Sequence, residues 1–157
     1  DGLLVIRLDA PLFWANATQI ADGVLAEAAA TPDLRAVLLD MEATSQLDTT
    51  SVDALELILT RLEQQGVALY LVRVFYQARL VLKRSGFLDQ LGEGRMWHSI
   101  SAGSRAARKE FGIEGKSHAQ VDEEDNGDDD RIAADDDGEE PAGYIDPDVR
   151  PRKWWQH

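Results

Sequence analysis

The chain has 157 residues, a formal net charge of −13, 44% hydrophobic residues and no cysteine. Residues 1–112 carry 11 Lys/Arg and 14 Asp/Glu, a net of −3, and residues 113–157 carry 5 and 15, a net of −10, so the acidity is concentrated at one end. These figures exclude disulfides, thiolate metal sites and cysteine nucleophiles. They also argue against a nucleic-acid binder, which needs a concentrated basic face.

No apolar run approaches the roughly 20 residues that a membrane-spanning helix requires, and no signal peptide is visible. The cysteine-free composition fits a reducing cytosol. The chain opens at Asp1-Gly2 without an initiator Met, so a piece of a longer or processed protein is expected. About 112 residues suffice for one modest core.

Residues 3–8, Leu-Leu-Val-Ile-Arg-Leu, form a short branched apolar run that predicts a buried strand. Asp9-Ala10-Pro11 breaks it, and Leu12-Phe13-Trp14 predicts a brief extended piece. A helix is expected from Asn16 or Thr18, because Ala17, Ile20, Ala21, Val24, Leu25 and Ala28 make one apolar stripe. Thr31-Pro32-Asp33 stops it.

Residues 36–41 predict a second strand, followed by a polar loop over 42–47. A second helix begins near Thr50, with Val52, Leu55, Ile58, Leu59 and Leu62 on its buried side and Gly66 at its end. Residues 67–74 predict a third strand, 76–84 a third helix closed by Gly86, 95–100 a weaker strand, and 102–111 a last helix ended by Gly112. Strands alternating with helices imply a mainly parallel sheet with right-handed crossovers. The fold class is therefore α/β, with four or five strands and about four helices.

After Gly112 the composition changes. Residues 122–140 hold 12 Asp/Glu and one Arg, and such a segment cannot bury enough surface to offset its ordering entropy. The expected organisation is a domain over 1–112 and an acidic, mostly disordered tail over 113–157. The tail closes on Arg150-Pro-Arg-Lys-Trp-Trp, read most simply as a frayed terminus and otherwise as a segment that folds back.

Chemistry is concentrated where the second helix begins. Thr49, Thr50 and Ser51 fall where backbone N–H groups lack partners and the helix dipole is positive, which suits a phosphate or another anion. The simpler alternative is capping by Asp48 or by Thr50, with Thr50-x-x-Asp53 as a capping box. No glycine-rich phosphate loop is present, and Asp40 and Asp48 would discourage an anion nearby. Ser101 and Ser104, opening the last helix, are a second candidate anion site with an ordinary cap as the alternative. His98, His118 and His157 have no metal-ligand spacing, and Asp122-Glu-Glu-Asp-Asn-Gly only faintly matches a calcium loop. Trp14 is expected in core or lip packing, with a partner-facing position as the alternative, and Phe75-Tyr76 likewise.

The order of elements and two motifs resemble the STAS domain, a family of bacterial anti-sigma-factor antagonists and of the cytosolic C-terminal domains of SulP-type sulfate permeases. Val5-Ile6-Arg7-Leu8-Asp9-Ala10-Pro11-Leu12-Phe13-Trp14-Ala15-Asn16-Ala17 is similar to the opening of the SulP branch. Asp40-Met41-Glu42 leading into Asp48-Thr49-Thr50-Ser51-Val52 is similar to the family's loop, and Leu82-Lys83-Arg84-Ser85-Gly86-Phe87 to a later element. The resemblance covers about residues 3–111.

It implies a STAS-like fold and no enzymatic activity. It implies a regulatory and interaction domain of a sulfate or other anion transporter. Such a domain sits on the cytoplasmic side of the membrane, has its own transporter's membrane domain as partner, and reaches a homo-oligomer through the full-length protein. No cofactor is required; GTP or ATP is the candidate ligand, with Asn16, Thr49, Thr50, Ser51, Ser101 and Ser104 as candidate contacts. The alternative is a stand-alone antagonist-type binding module switched by phosphorylation of Thr50, the position that matches the family's phosphoacceptor. Ser51 stands where the family has Gly.

Overall fold

A computed structural model describes residues 2–113. The expectations for 114–157, including the tail's disorder, the calcium-loop likeness at 122–127 and the basic-aromatic close, lie outside the described residues.

Four strands, β1 (Leu3–Arg7), β2 (Ala36–Asp40), β3 (Ala68–Val72) and β4 (Met96–Trp97), form one parallel sheet in the order β1-β2-β3-β4. The register pairs Leu3 with Ala36 and Ala36 with Ala68, so the three longer strands run side by side over their full lengths. Five helices accompany them: α1 (Ala17–Ala30), α2 (Thr49–Gln64), α3 (Tyr76–Arg84), α4 (Phe87–Leu91) and α5 (Ile100–Phe111).

Every side chain of β2 and β3 is buried. This is why both strands read as unbroken apolar runs rather than alternating ones. One face of the sheet, with Val37, Leu39, Leu69 and Leu71, packs under α1 to α4 through Val24, Leu55, Leu59, Leu82 and Phe87. The other face, with Ala36, Leu38, Ala68, Tyr70 and Val72, is covered by α5 through Ala107 and, at partial burial, Ala106 and Phe111.

α5 lies close because its inner side is made of Ala102, Gly103 and Ala107. A Cβ at Gly103 would stand 2.7 Å from Val72 Cγ1 and 3.2 Å from Leu38 Cδ2. At the lower end of α5, the Tyr70 hydroxyl donates to the Glu110 carboxylate, and Arg95 Nη2 reaches the other Glu110 oxygen at 3.2 Å.

The structure departs from the sequence reading in four places. β1 is not a buried strand: Leu3, Leu4 and Ile6 are half-buried and Val5 is 42% exposed, because β1 lies at the edge of the described sheet with one strand beside it. Residues 12–14 do not form an extended piece: Asn16 and Ala17 both return their N–H groups to the Phe13 carbonyl, making a turn that leads into α1. The weak strand expected over 95–100 shrinks to two residues, because Ser99 already caps α5, which starts at Ile100 rather than 102. The five-residue α4 was not expected. It is too short for a periodic stripe, although Gly86 and Gly92 bracket it with left-handed and extended positive-φ turns.

The two helical glycines separate crowding from conformational freedom. Gly103→Ala should destabilise the protein by about 1 kcal/mol or more, because overpacking against β2 and β3 outweighs the gain in helix propensity. Gly23→Ala, in an exposed part of α1 with nothing within 4 Å, should stabilise it by up to about 1 kcal/mol. Thermal or urea unfolding of the two variants checks both signs.

Candidate functional site

All four strands point the same way, so the loops leaving their C-terminal ends and the N-terminal tips of α2 and α5 gather at one end of the sheet. Ligands of open α/β sheets bind at this end, in the crevice where strand order reverses. Among the described strands the order never reverses, so this end carries exposed loops and helix tips rather than such a crevice.

Asp48 organises the α2 tip. It is the N-cap, and its Oδ1 accepts from the Ser51 backbone N–H and from the Ser51 hydroxyl, both at 2.8 Å. Its Oδ2 accepts the Trp14 N–H at 2.8 Å, which ties the β1–α1 loop to the start of α2. Asn16 braces the same loop: Oδ1 accepts from Phe13 N and Nδ2 donates to the Pro11 carbonyl. Thr44, fully buried, accepts the Leu12 N–H at 2.9 Å. Asx side chains and a buried hydroxyl satisfy backbone groups that no strand or helix can satisfy here.

The hydrogen bonds from the Ser51 hydroxyl and then the Ser51 N–H hold the Asp48 carboxyl below its ordinary value; Trp14 N–H adds to this against a small opposing effect of burial.

Each candidate residue can now be placed. Thr49 and Thr50 are exposed on the first turn of α2, and Ser51 is fully buried with its hydroxyl given to Asp48. Asp48, rather than Thr50, is the cap that forms. Asn16 lies in the loop that Asp48 holds, so it joins 49–51 through shared backbone rather than by direct contact. Ser101 and Ser104 lie on α5, across the sheet from α2, and the two groups do not converge. The cap of α5 is Ser99, which accepts the Ala102 N–H at 3.1 Å and lies 3.2 Å from the Ser101 hydroxyl.

Beside the α2 tip, four charged side chains close the strand ends. Asp40 has no exposed surface. Its Oδ1 accepts from Arg73 Nε at 2.9 Å, its Oδ2 from Arg73 Nη2, and Arg7 Nε lies 3.9 Å away. Glu42 Oε2 then joins Arg7 Nη2 and Arg73 Nη1, each at 2.8 Å. Burial pushes the Asp40 carboxyl up, but the Arg73 hydrogen bond, the Glu42 N–H and the charges of Arg73 and Arg7 outweigh it, and the net shift is downward.

Two cations therefore cover Asp40, and it is not the repellent charge that the sequence reading expected; Asp48 alone remains close to the hydroxyls. Arg73 takes this position with a left-handed backbone, φ 56°. Sequence reasoning missed Arg73, although a cation ending an otherwise apolar strand run was the available signal.

Trp14 is 71% exposed and Phe75 48%, which corrects the expectation that they pack into the core or its lip. The Trp14 backbone N–H is held by Asp48 while its indole faces outward. It stacks edge-on against exposed Phe13 with ring centroids 6.4 Å apart. Phe75 leaves β3 at the same end.

A STAS domain family model matches residues 1–102. The chain belongs to the STAS family. A probable sulfate transporter of Mycobacterium tuberculosis is 30% identical over 109 residues, covering 69% of this chain and 20% of that protein. Probable sulfate transporter 3.4 of Arabidopsis thaliana is 29% identical over 108 residues, with 63% and 16% covered. The chain thus spans only 16–20% of the length of these relatives.

Among solved structures, a sulfate transporter family protein from Wolinella succinogenes superposes with a TM-score of 0.62 at 23% identity, over 71% of this chain and 89% of that one. The unphosphorylated anti-sigma-factor antagonist SpoIIAA gives 0.55 at 21% identity, over 72% and 91%. These likenesses establish the fold, and the STAS family is not an enzyme class. Among the described residues no helix is long and apolar enough to cross a membrane.

Both lowered carboxyls stabilise the fold above the ordinary aspartate value of 3.8, and that contribution is lost as pH falls through their lowered values. Acid unfolding should therefore steepen below pH 3.8. Asp40→Asn and Asp48→Asn should each flatten the profile. Asp40→Asn should cost roughly 3 kcal/mol by removing the buried charge that Arg73 holds with two hydrogen bonds, Glu42 alone remaining paired to that guanidinium. Asp48→Asn should cost about 1–2 kcal/mol, since its amide cannot accept from both Ser51 and Trp14. Denaturant unfolding between pH 2 and 7 checks these outcomes.

Proposed function

We propose that this STAS domain is the cytosolic regulatory domain of a SulP-type transporter of sulfate or another anion, joined to a membrane domain of the same protein. The observation that carries this reading is the 30% identity to a probable sulfate transporter of which this chain spans one fifth. A match confined to so small a share fits a module attached to a larger transport unit. The exposed rim supports the same reading. Phe13 and Trp14 offer apolar surface on a loop held by Asn16, Thr44 and Asp48, and exposed Phe75 leaves β3 at the same end. Aromatic residues on a rigid support bind partners with little loss of conformational entropy. A regulatory effect requires that the rim hold two states of the transporter unequally.

The α2 tip is the place where a ligand would bias that contact. Thr49 and Thr50 offer hydroxyls and N–H groups to a phosphate of GTP or ATP, while Asp48 already occupies the Ser51 N–H and repels a second anion. Nucleotide affinity on this reading is weak. A second reading, a stand-alone antagonist-type module, is favoured by one observation: Thr50, the residue matching the phosphoacceptor, is exposed. Phosphate there would enjoy the helix dipole and oppose Asp48.

The coding sequence upstream of Asp1 should encode a series of apolar spans. In that full-length protein, Trp14→Cys should cross-link to the membrane part, while Trp14→Ala should leave domain stability within about 0.5 kcal/mol. A start codon adjoining Asp1 with no spans before it would overturn the transporter reading. A mass increase of one phosphoryl group at Thr50 in protein from its native cell would then support the second. Amide signals of residues 49–52 should shift on adding GTP or ATP at millimolar concentration, and Thr50→Glu should weaken the shift. Unmoved signals would remove the nucleotide ligand while leaving the transporter reading intact.

A further inference from the structure

Two guanidinium groups converge on one carboxylate oxygen at the strand ends. Arg7, the last residue of β1, and Arg73, just after β3, reach Glu42 Oε2 through Nη2 and Nη1, each at 2.8 Å. β2 lies between the strands that carry them, so the two cations meet across its end. Asp40 keeps them there. Its carboxylate takes Arg73 Nε at 2.9 Å and Arg73 Nη2, and lies 3.9 Å from Arg7 Nε. None of these contacts uses the Glu42 side chain, so moving the Glu42 carboxylate away leaves both cations aimed at the same point. Arg73 holds its place with a left-handed backbone, φ 56°, a conformation that arginine rarely adopts. Such strain persists where surrounding contacts over-determine it, and it clusters at ligand clamps.

The two acids are held very differently. Asp40 is enclosed, whereas the Glu42 side chain is 44% exposed and that of Arg7 64%. The Glu42 backbone N–H is anchored on Asp40 Oδ1 at 3.1 Å, so the side chain can swing out while the main chain stays. Exposed ion pairs are weak, and the swing costs little. With Glu42 in place, two cations and two carboxylates cancel. With it swung away, one net positive charge faces solvent. Guanidinium N–H groups fit carboxylate and tetrahedral oxyanions alike, because both offer charged oxygens at the same hydrogen-bond distance.

We propose that Arg7 and Arg73 form an oxyanion site, for sulfate or a phosphate group, which the Glu42 carboxylate closes from within by occupying it. The anion and Glu42 compete for the same N–H groups. A tethered competitor is present at high local concentration, so the apparent affinity falls to the millimolar range. The site shares no residue with the α2 tip, and it does not depend on the transporter reading.

In the full chain, sodium sulfate titrated against sodium chloride at constant ionic strength should shift the Nε–H signals of Arg7 and Arg73 along a saturating curve. The signal of exposed Arg61 on α2 should stay still. Inorganic phosphate should act as sulfate does. Phenyl phosphate distinguishes the sources: a matching response makes the site open to phosphate esters, and a response to the inorganic ions alone makes it a site for the free anion. Arg7→Gln should abolish the saturating shift while leaving the Asp40–Arg73 pair in place. Glu42→Gln should tighten sulfate binding roughly fivefold, the equivalent of one exposed ion pair. Should Arg7→Gln not fold, Glu42→Gln reads the same site in the opposite direction.

Shifts that never saturate, that chloride reproduces, or that Glu42→Gln leaves unchanged or weakens would overturn the proposal. So would saturation centred on the amides of residues 49–52, which would assign the anion to the α2 tip.

Discussion

A sheet whose two central strands keep every side chain from water must be covered on both faces. This constraint shapes the rest of the domain. Winding β1 to β4 in one direction places α1 to α4 on a single face, so among the described residues the opposite face is covered by α5. One helix covers that face only by lying very close to it, which is why its inner side is reduced to Ala102, Gly103 and Ala107. With the apolar work done by so few small residues, the outward side of α5 is free to be strongly charged.

The same winding sends the strand ends, the β1–α1 loop and the α2 tip to one end of the molecule. There, polar groups hold the chain alongside the buried Leu8, Leu12, Met41 and Leu47. Asp48 spans two elements with one carboxylate, taking the start of α2 on one oxygen and the Trp14 loop on the other. Asp40 does the equivalent for β1 and β3 through Arg7 and Arg73. The aromatic rim and the hydroxyls of Thr49 and Thr50 are exposed because this framework fixes the backbone beneath them. This end therefore presents fixed aromatic and hydroxyl groups to solvent.

Much of the fold was legible in the sequence. Residues 36–41 and 67–74 announce fully covered parallel strands by their unbroken apolar runs, and the stripes at Ala17–Ala28 and Val52–Leu62 announce the helices over them. What escaped were features that depend on contacts distant in sequence. Residues 87–91 are too few to show a period. Leu12-Phe13-Trp14 reads as core, yet only Leu12 enters it, because the chain turns at Phe13 and is held there by Asp48, 34 positions from Trp14. At the candidate site, Thr49, Thr50 and Ser51 were correctly placed at a helix start, but their differing exposure followed from which side chain Asp48 engaged. Asp40 looked like an obstacle to anions because Arg73, 33 residues away, is paired to it only in the folded chain.

The left-handed backbone at Arg73 has an evolutionary corollary. Glycine at that position would relax the main chain but leave the enclosed Asp40 charge without its strongest partner. A neutral residue at position 40 would leave an arginine in a left-handed conformation with Glu42 as its remaining partner. Each replacement costs more alone than after the other has changed, so positions 40 and 73 should drift jointly among descendants of this sequence.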